Sequence, residues 1–429
     1  MFGFANFLLL ALFAAAVFDL IFALARGGGL RGALHGPWNT PHLLFGQQLA
    51  EWRLQLGRIL FAAGLAAYEI SVVFCNSMAR QNWAWVQGVM SPVLEWLAFL
   101  CFGAKILFGT RYTWRELLAG GALYFIARWV YFNSQNIWWI GIVVAVLAAK
   151  DVPLRRPLQV YFASGCAAMA VVLALHFAGI VAPDLTSERM GALRGTYGYG
   201  HPNTFGGLVF GLVLAYALLR AQKVRWVDCL LVFAVGVFLL VGPASRSAAL
   251  CTLALAVGLV FCRLRAGYSV PRWWPGTCAG MVGLTAAVSY LLPLLVIKVG
   301  PWNNDIGPAW LAKLDSLLTC RISLTWMAYR LLDVKIAGQV FNWPTVDNSF
   351  AFALFQFGPV VAALLGILFA AALWGHAKQG RRVEVCCLFA MLAYAYMEVQ
   401  PFHLTTNPTA LLLCGAVFAQ TSARWQKIE

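Results

Sequence analysis

Long apolar runs recur along almost the whole chain, and this repetition constrains the fold more than any other feature. Many runs reach the roughly 17–25 residues that a helix needs to cross a bilayer. Hydrophobic residues make up 62% of the sequence and charged residues only 11%, a balance outside the range of soluble globular proteins. The sequence therefore predicts an all-α fold: a polytopic integral membrane helical bundle of about 12–14 spans, in a single membrane domain over residues 1–429.

The predicted spans are Phe2–Ala25, Gly57–Phe74, Ala84–Gly109, Glu116–Val130, Ile137–Ala149, Leu158–Val181, Thr204–Leu219, Trp226–Val241, Ala248–Cys262, Cys278–Val296, Ser349–Trp374, Val383–Tyr396 and Pro408–Gln420. We interpret the first as a retained span, because no basic region precedes it and the run is long for a signal peptide. The run Ile137–Ala149 is short, which favours a tilted or partial span.

The basic residues indicate the topology of the chain. The formal net charge is +15, and most of the Lys and Arg lie in alternate short loops between spans. By the positive-inside rule these loops lie in the cytoplasm, so the charge does not indicate binding to nucleic acid. The extracytoplasmic face then carries a loop at 182–203 and a larger loop at 298–348. Within the larger loop, Leu317–Asp333 has the pattern of an amphipathic helix on the membrane surface.

A glycine-rich stretch, Gly195–Gly207, lies between two predicted spans and carries His201 and Asn203, with Arg194 just before it. Pro202 cannot continue a helix inward and restricts His201 to extended geometry. Irregular backbone at this depth is tolerated only where protein or a wet cavity covers it. The stretch therefore predicts either a functional polar site or a helix-capping loop with a chance histidine.

Arginines on the predicted outer face need an explanation, because topology disfavours them there. Arg246 lies in the tip Gly242–Ser247, and Arg321 and Arg330 lie in the large loop. A guanidinium matches phosphate oxygens in a bidentate way, so these side chains indicate an anionic ligand such as a lipid diphosphate. The alternative is surface arginines near lipid headgroups.

Two acidic positions lie on the same face. Asp347 and Asn348 directly precede the predicted span Ser349–Trp374, and Glu398 follows the span Val383–Tyr396. An Asp at a helix start is usually an N-cap, but a carboxylate at a membrane boundary is also a candidate general base. Ionisable groups at the ends of apolar runs usually face the bundle interior, which makes Glu398 a candidate for a polar cavity.

The sequence predicts no cofactor and no metal. It has no GxxxxGK[ST] motif for a nucleotide, and its 11 cysteines lie mainly inside apolar runs without the spacing of a metal site. We interpret them as small apolar residues. Any group transfer at the outer face should therefore use a donor that is already activated and membrane-borne.

Four segments, in order, resemble the bacterial O-antigen polymerase/ligase superfamily, specifically the Wzy-type polysaccharide polymerases. They are Gly198-Tyr-Gly-His-Pro-Asn-Thr-Phe-Gly206, Ser245-Arg246-Ser247, Arg321-Ile-Ser-Leu-Thr-Trp326 and Val346-Asp-Asn-Ser-Phe350 with Leu354 and Gly358. They are similar to the family's G-[HN]-P-N-x-x-[GA], S-R-[SG], R-x-x-L-W and [HD]-N-x-[YF]-x-x-x-L-x-x-x-G segments. The resemblance extends over the chain from Arg111 onward.

This resemblance implies a metal-independent glycosyltransferase in the bacterial inner membrane, with its active site on the extracytoplasmic side. It would polymerise undecaprenyl-diphosphate-linked repeat units beside a flippase and a chain-length regulator. Arg246 and Arg321 would hold the donor diphosphate, with Arg194, Asn203, Asn348, Glu398 and Arg330 binding substrate. The ligase branch has His-Asn where this chain has Asp347-Asn348, and it often has Asn where this chain has His201. The resemblance therefore leaves the base open between Asp347 and His201, and Asp347 is favoured.

Two other functions, and a purely structural membrane role, remain open from the sequence. A ligase would attach a finished glycan to a lipid, wall polymer or protein. A transporter would place its charged groups near the bilayer midplane, often in repeated halves, and neither feature is visible in this sequence.

Overall fold

The computed structural model describes residues 51–110, 112, 114–181, 187–189, 192–296 and 307–418. The predicted span Phe2–Ala25 lies outside these residues, as do parts of both predicted loops. The helices and strands of the described chain comprise many helices and one short antiparallel hairpin. Its strands are β1 (Ser187–Arg189) and β2 (Ala192–Arg194), with Ser187 opposite Arg194.

The α-helices are α1 (Glu51–Cys75), α2 (Ala79–Asn82), α3 (Ser91–Phe108), α4 (Trp114–Ser134), α5 (Ile137–Ala148), α6 (Arg155–Phe177), α7 (Pro202–Leu219), α8 (Trp226–Val241), α9 (Arg246–Leu264), α10 (Trp274–Leu291), α11 (Ala309–Leu317), α12 (Arg321–Leu331), α13 (Ser349–Phe352), α14 (Pro359–Lys378), α15 (Arg382–Met397) and α16 (Cys414–Val417). Turns of π-helix form Val86–Met90 and Ala353–Phe357, and turns of 3₁₀-helix form Leu292–Leu295, Gln400–Phe402 and Pro408–Leu413.

Seven of the described helical segments are long and apolar enough to cross a membrane, so the chain is a multi-pass helical membrane protein. They are Trp52–Cys75, Val86–Phe108, Arg155–Phe177, Pro202–Leu219, Arg246–Leu264, Trp274–Leu295 and Pro359–Lys378. Ile137–Ala148, Trp226–Val241 and Pro408–Val417 are apolar but shorter. The predicted helical membrane bundle is confirmed, while the predicted 12–14 spans exceed these seven.

Two predicted spans are not single continuous helices in the structure. The segment Ser349–Trp374 is interrupted at Gly358, whose φ of 87° is open mainly to glycine. A Cβ at this position would lie 2.1 Å from the carbonyl oxygen of Ile336, so the bend also requires a residue without a side chain. The described part of Pro408–Gln420 is a 3₁₀ turn followed by the four residues of α16, which is too short to span a bilayer.

The predicted amphipathic helix Leu317–Asp333 is shorter in the structure, where α12 covers Arg321–Leu331. Helix α11 ends at Leu317, and Cys320 takes the left-handed conformation with φ 66° before α12 begins at Arg321. The carboxylate of Asp315 accepts hydrogen bonds from the backbone N–H groups of Ile322 (2.7 Å) and Ser323 (3.2 Å). The break therefore lets an acidic side chain of α11 satisfy the first turn of α12.

The centre of the bundle is α5, whose residues from Trp139 to Ala148 are all buried. A helix that is apolar on every side belongs in a core. At 1.5 Å per residue, its 12 residues reach about 18 Å, which is short of the bilayer core. The segment Ile137–Ala149, expected to be a tilted or partial span, therefore forms a short helix enclosed in the core.

Three glycines on α7 bring the site segments together. A Cβ at Gly206 would lie 2.2 Å from Ser245 Oγ, and a Cβ at Gly207 would lie 1.9 Å from Gln400 Oε1. At Gly211 the obstacle would be backbone, the carbonyl oxygen of Thr405 at 2.6 Å. The absence of side chains thus allows α7 to contact the start of α9 and the segment after α15, which places the polar ends of all three helices side by side.

Candidate functional site

The carboxylate of Glu398 is the meeting point of several of the polar segments singled out in the sequence. Glu398 follows the last residue of α15 and has extended backbone. Its Oε1 accepts a hydrogen bond from Arg321 Nη2 at 2.6 Å and another from Asn203 Nδ2 at 3.0 Å. Glu398 and Arg321 are both buried. We call Glu398, Arg321, Asn203, Arg194 and Ser247 the Glu398 site.

Arg321 uses every N–H of its guanidinium within the protein. Nε donates to the carbonyl oxygen of Met397, and Nη1 donates to the carbonyl oxygen of Leu318 at 2.9 Å and to Thr319 Oγ1. Nη2 donates to Glu398 and, at 3.3 Å, to Ser247 Oγ. A guanidinium has five N–H donors, so none is left for a ligand in this arrangement. Arg321 therefore fixes the position of the Glu398 carboxylate.

Asn203 links Glu398 to a second arginine. Its Oδ1 accepts a hydrogen bond from Arg194 Nη2 at 2.9 Å, while its Nδ2 donates to Glu398. The same Nη2 also donates to the carbonyl oxygen of Ala244 at 3.2 Å. Strand β2, helix α7 and the tip before α9 are thereby tied to the end of α15, because each amide and guanidinium group has a fixed partner.

The environment of Glu398 changes its acidity. Burial raises the pKa of the Glu398 carboxyl to about 7, the positive charge of Arg321 opposes this shift, and the negative charge of Asp347 adds to it. A carboxyl group with a pKa near neutrality exchanges its proton readily at physiological pH. This is the property that general acid–base catalysis requires.

The start of α13 contacts the backbone of Glu398. Ser349 Oγ donates a hydrogen bond of 2.5 Å to the carbonyl oxygen of Glu398. Asn348 is the N-cap of α13, with its Oδ1 accepting from the N–H groups of Phe350 (2.9 Å) and Ala351 (3.1 Å). Its Nδ2 donates to Ser289 Oγ and to the carbonyl oxygen of Tyr396. Asn348 is therefore buried and fully bonded, and Asp347 beside it is half-buried.

His201 serves as the N-cap of α7. Its Nδ1 accepts a hydrogen bond from the backbone N–H of Asn203 at 3.1 Å, and the side chain is exposed. The interpretation of Gly195–Gly207 as a capping loop is confirmed for this residue, while Asn203 of the same stretch belongs to the polar network. One short segment thus supplies both a cap and a site residue.

Two of the predicted ligand-binding arginines lie apart from the buried network. Arg246 is exposed at the first turn of α9, next to buried Ser245 and Ser247. Arg330 is exposed, with its guanidinium carbon 5.6 Å from the ring centroid of Trp326. Nine residues along a helix correspond to a rotation of about 180°, so Arg330 faces away from Arg321. The structure does not bring Arg330 to the site.

Sequence reasoning did not single out Ser247, Ser349 or Thr319 individually. Ser and Thr are common at helix ends, and their role here depends on partners distant in sequence, which no local pattern reveals. Within the described ranges, no group of three His, Cys, Asp or Glu side chains is placed to hold a metal ion.

Comparisons of the chain with protein-family models, with curated proteins and with solved structures found no match.

Proposed function

We propose that this protein is a membrane glycosyltransferase that polymerises lipid-diphosphate-linked oligosaccharide repeat units, with undecaprenyl diphosphate as the carrier. One observation carries the proposal: segments that resemble the Wzy-type polymerases in sequence converge on a single buried carboxylate. Asn203, Ser247 and Arg321 come from three of those segments, and all lie around Glu398. Ser349 of the fourth segment bonds to the backbone of the same residue.

Glu398 is the proposed general base. It would take the proton from the acceptor hydroxyl as that oxygen bonds to the anomeric carbon of the donor. The bond from that carbon to the carrier diphosphate breaks, and the diphosphate leaves with the electron pair. This assignment revises the choice between Asp347 and His201, because His201 Nδ1 is used in a helix cap and Asp347 is the less buried carboxyl. Asp347 would instead help to keep the pKa of Glu398 high.

The arginines divide into two proposed roles. Arg321 is a positioning residue, because all of its donors are bonded within the protein. Arg246 is exposed beside Ser247 and makes no side-chain hydrogen bond with the described residues, so it is the better candidate to meet the donor diphosphate. A guanidinium there would stabilise the charge that develops on the leaving group.

The proposed orientation follows from the distribution of charge. Helices α7, α9 and α15 each have one end at the Glu398 site and the other end among basic residues such as Arg220, Arg263 and Arg382. The positive-inside rule favours the basic end as cytoplasmic, so the Glu398 site would face the extracytoplasmic side of the bacterial inner membrane. A flippase and a chain-length regulator would be its partners.

A deletion strain complemented with matched variants tests the proposal. Surface polysaccharide is separated on gels after expression of wild type, Glu398→Gln or Asp333→Asn, with membrane protein levels measured in parallel. Asp333 is an exposed carboxylate of the large loop and serves as the control. We expect wild type and Asp333→Asn to restore long chains and Glu398→Gln to leave single repeat units on the acceptor.

Other outcomes identify the alternatives. Long chains that accumulate on the lipid carrier in the deletion strain would indicate a ligase. An unchanged glycan in that strain would contradict both enzyme assignments and favour a transporter. The end-of-bundle position of the Glu398 site disfavours a transporter, because transport sites lie near the bilayer midplane.

A further inference from the structure

A second polar region lies at the opposite end of the bundle from Glu398. It is a cavity of about 750 Å³ between the ends of α6, α7, α9 and α15 and the loop that follows α7. Helices α7, α9 and α15 have 18, 19 and 16 residues, so the two regions are separated by about 24–29 Å at 1.5 Å per residue. We call this region the basic cavity.

Cationic side chains dominate the lining of the basic cavity. Seven Lys or Arg residues line it, against one carboxylate, Glu384. Two of the arginines are held by the protein: Arg220 Nε lies 3.1 Å from Asp228 Oδ1, and Arg382 donates to backbone carbonyl oxygens of the loop after α9. Most of the positive charge therefore has no carboxylate to balance it.

Four of the lining cations have no partner among the described residues. The side chains of Arg155, Lys223, Arg225 and Arg263 make no hydrogen bond or ion pair there, and all four are exposed. They come from α6, the loop after α7, the start of α8 and the end of α9. Cations from four elements that no carboxylate balances thus line one concave volume.

The inner wall of the basic cavity is apolar. Leu154 and Leu158 line it from the start of α6, Leu218 and Leu219 from the end of α7, and Leu412 from the segment after α15. A ligand that suits this lining has an anionic head near the arginines and an apolar part near the leucines. Phospholipids with an acidic headgroup have this chemistry, and basic pockets between membrane helices bind such headgroups.

We propose that the basic cavity binds a phosphate-bearing anion, supplied by the headgroup of an anionic phospholipid or by free phosphate. The guanidinium groups of Arg155, Arg225 and Arg263 offer planar, bidentate contacts to phosphate oxygens, and Lys223 adds a point charge. This site is separate from the Glu398 site and does not depend on the proposed transferase function.

The test uses the purified full-length protein in neutral detergent, titrated with phosphatidylglycerol or phosphatidylcholine at constant ionic strength and read by native mass spectrometry. One triple variant, Lys223→Gln with Arg225→Gln and Arg263→Gln, removes three cations from the basic cavity. A matched triple variant, Arg156→Gln with Arg272→Gln and Lys378→Gln, removes three exposed cations at the same end that do not line it. We expect phosphatidylglycerol to bind about 100-fold more weakly to the first variant and less than about twofold more weakly to the second.

Inorganic phosphate distinguishes the two sources. Binding of phosphatidylglycerol that millimolar phosphate does not displace would assign the site to lipid. Displacement by phosphate, together with loss of phosphate binding in the first triple variant, would assign it to a soluble anion. Equal weakening in both triple variants, or equal binding of phosphatidylglycerol and phosphatidylcholine to wild type, would overturn the proposal, because the effect would then be general surface charge.

Discussion

The two ends of α7, α9 and α15 differ in whether their charged side chains are buried and paired. At the Glu398 site the charges are buried, and the guanidinium of Arg321 and the carboxylate of Glu398 are paired and bonded. At the basic cavity the cations are mostly exposed, and four of them have no partner among the described residues. A buried charge is tolerated only when it is paired, whereas a solvated charge needs no partner.

This difference suggests a separate role for each end: the Glu398 site positions a carboxylate, and the basic cavity recruits an anion. A saturated, buried network holds one carboxylate in one place, which suits a chemical step. An open group of unbalanced cations suits the recruitment of an anion from outside. The following predictions test that division, beginning with the largest expected effect.

The proposed transfer activity should fall as the pH is lowered through neutrality. A base must be deprotonated, and the pKa of Glu398 is about 7, so the transfer rate should drop about 100-fold from pH 8 to pH 5. The measurement is the initial rate of transfer between lipid-linked repeat units in purified protein. His201→Asn keeps a capping side chain. The acid limb of its pH–rate profile, which is the fall in rate at low pH, should therefore match that of wild type. A rate that stays constant down to pH 5 would contradict the assignment of Glu398 as the base.

Arg321→Gln should destabilise the protein and move the acid limb. Removal of one partner leaves a buried carboxylate without its cation, at a cost of about 3–5 kcal/mol in the free energy of unfolding. The charge of Arg321 lowers the pKa of Glu398, so its loss should raise that pKa and shift the limb to higher pH. Thermal unfolding in detergent and the pH–rate profile measure the two effects. An unshifted limb in a folded variant would contradict the role of Arg321 in positioning Glu398.

Asp228→Asn should destabilise the basic end without affecting the proposed transfer step. Asp228 accepts hydrogen bonds from the Tyr216 hydroxyl at 2.6 Å, from Arg220 Nε and from the backbone N–H of Arg225 at 2.7 Å. An amide cannot accept all of these, so we expect a loss of about 1.5–3 kcal/mol. The transfer rate per folded molecule should stay within about twofold of wild type, since each end acts separately. A much larger fall in that rate would show that the two ends are coupled.

The smallest expected effect concerns the packing of α7, which joins the two ends. Gly211→Ala would place a Cβ 2.6 Å from the backbone oxygen of Thr405, so the segment after α15 must move, at about 1–3 kcal/mol. Gly283→Ala on α10 is the control, because nothing lies within 4 Å of the added Cβ. It should be neutral or stabilising by up to about 1 kcal/mol. Equal effects of the two substitutions on thermal unfolding would contradict the close packing of α7.

Much of the helical framework could be predicted from the sequence, because apolar runs and helix caps are local. The prediction Trp226–Val241 coincides with α8, and Thr204–Leu219 lies within α7 with the same end. The interruption at Gly358-Pro359 was also visible as a local signal, but the continuous apolar run around it favoured one span. Hydrophobicity alone cannot distinguish a long span from two shorter segments packed inside protein.

The sequence by itself determined the membrane class, several helices and the set of polar residues from which a site could form. Only the tertiary structure decided that Glu398 is the centre of that set and that Arg321 is fully bonded to the protein. The reason is physical: the acidity of a carboxyl depends on its burial and on charges around it, and Arg321 lies 77 positions away in the sequence. The distance between Arg321 and Glu398 is set by the contact of the start of α12 with the end of α15, which no local pattern contains.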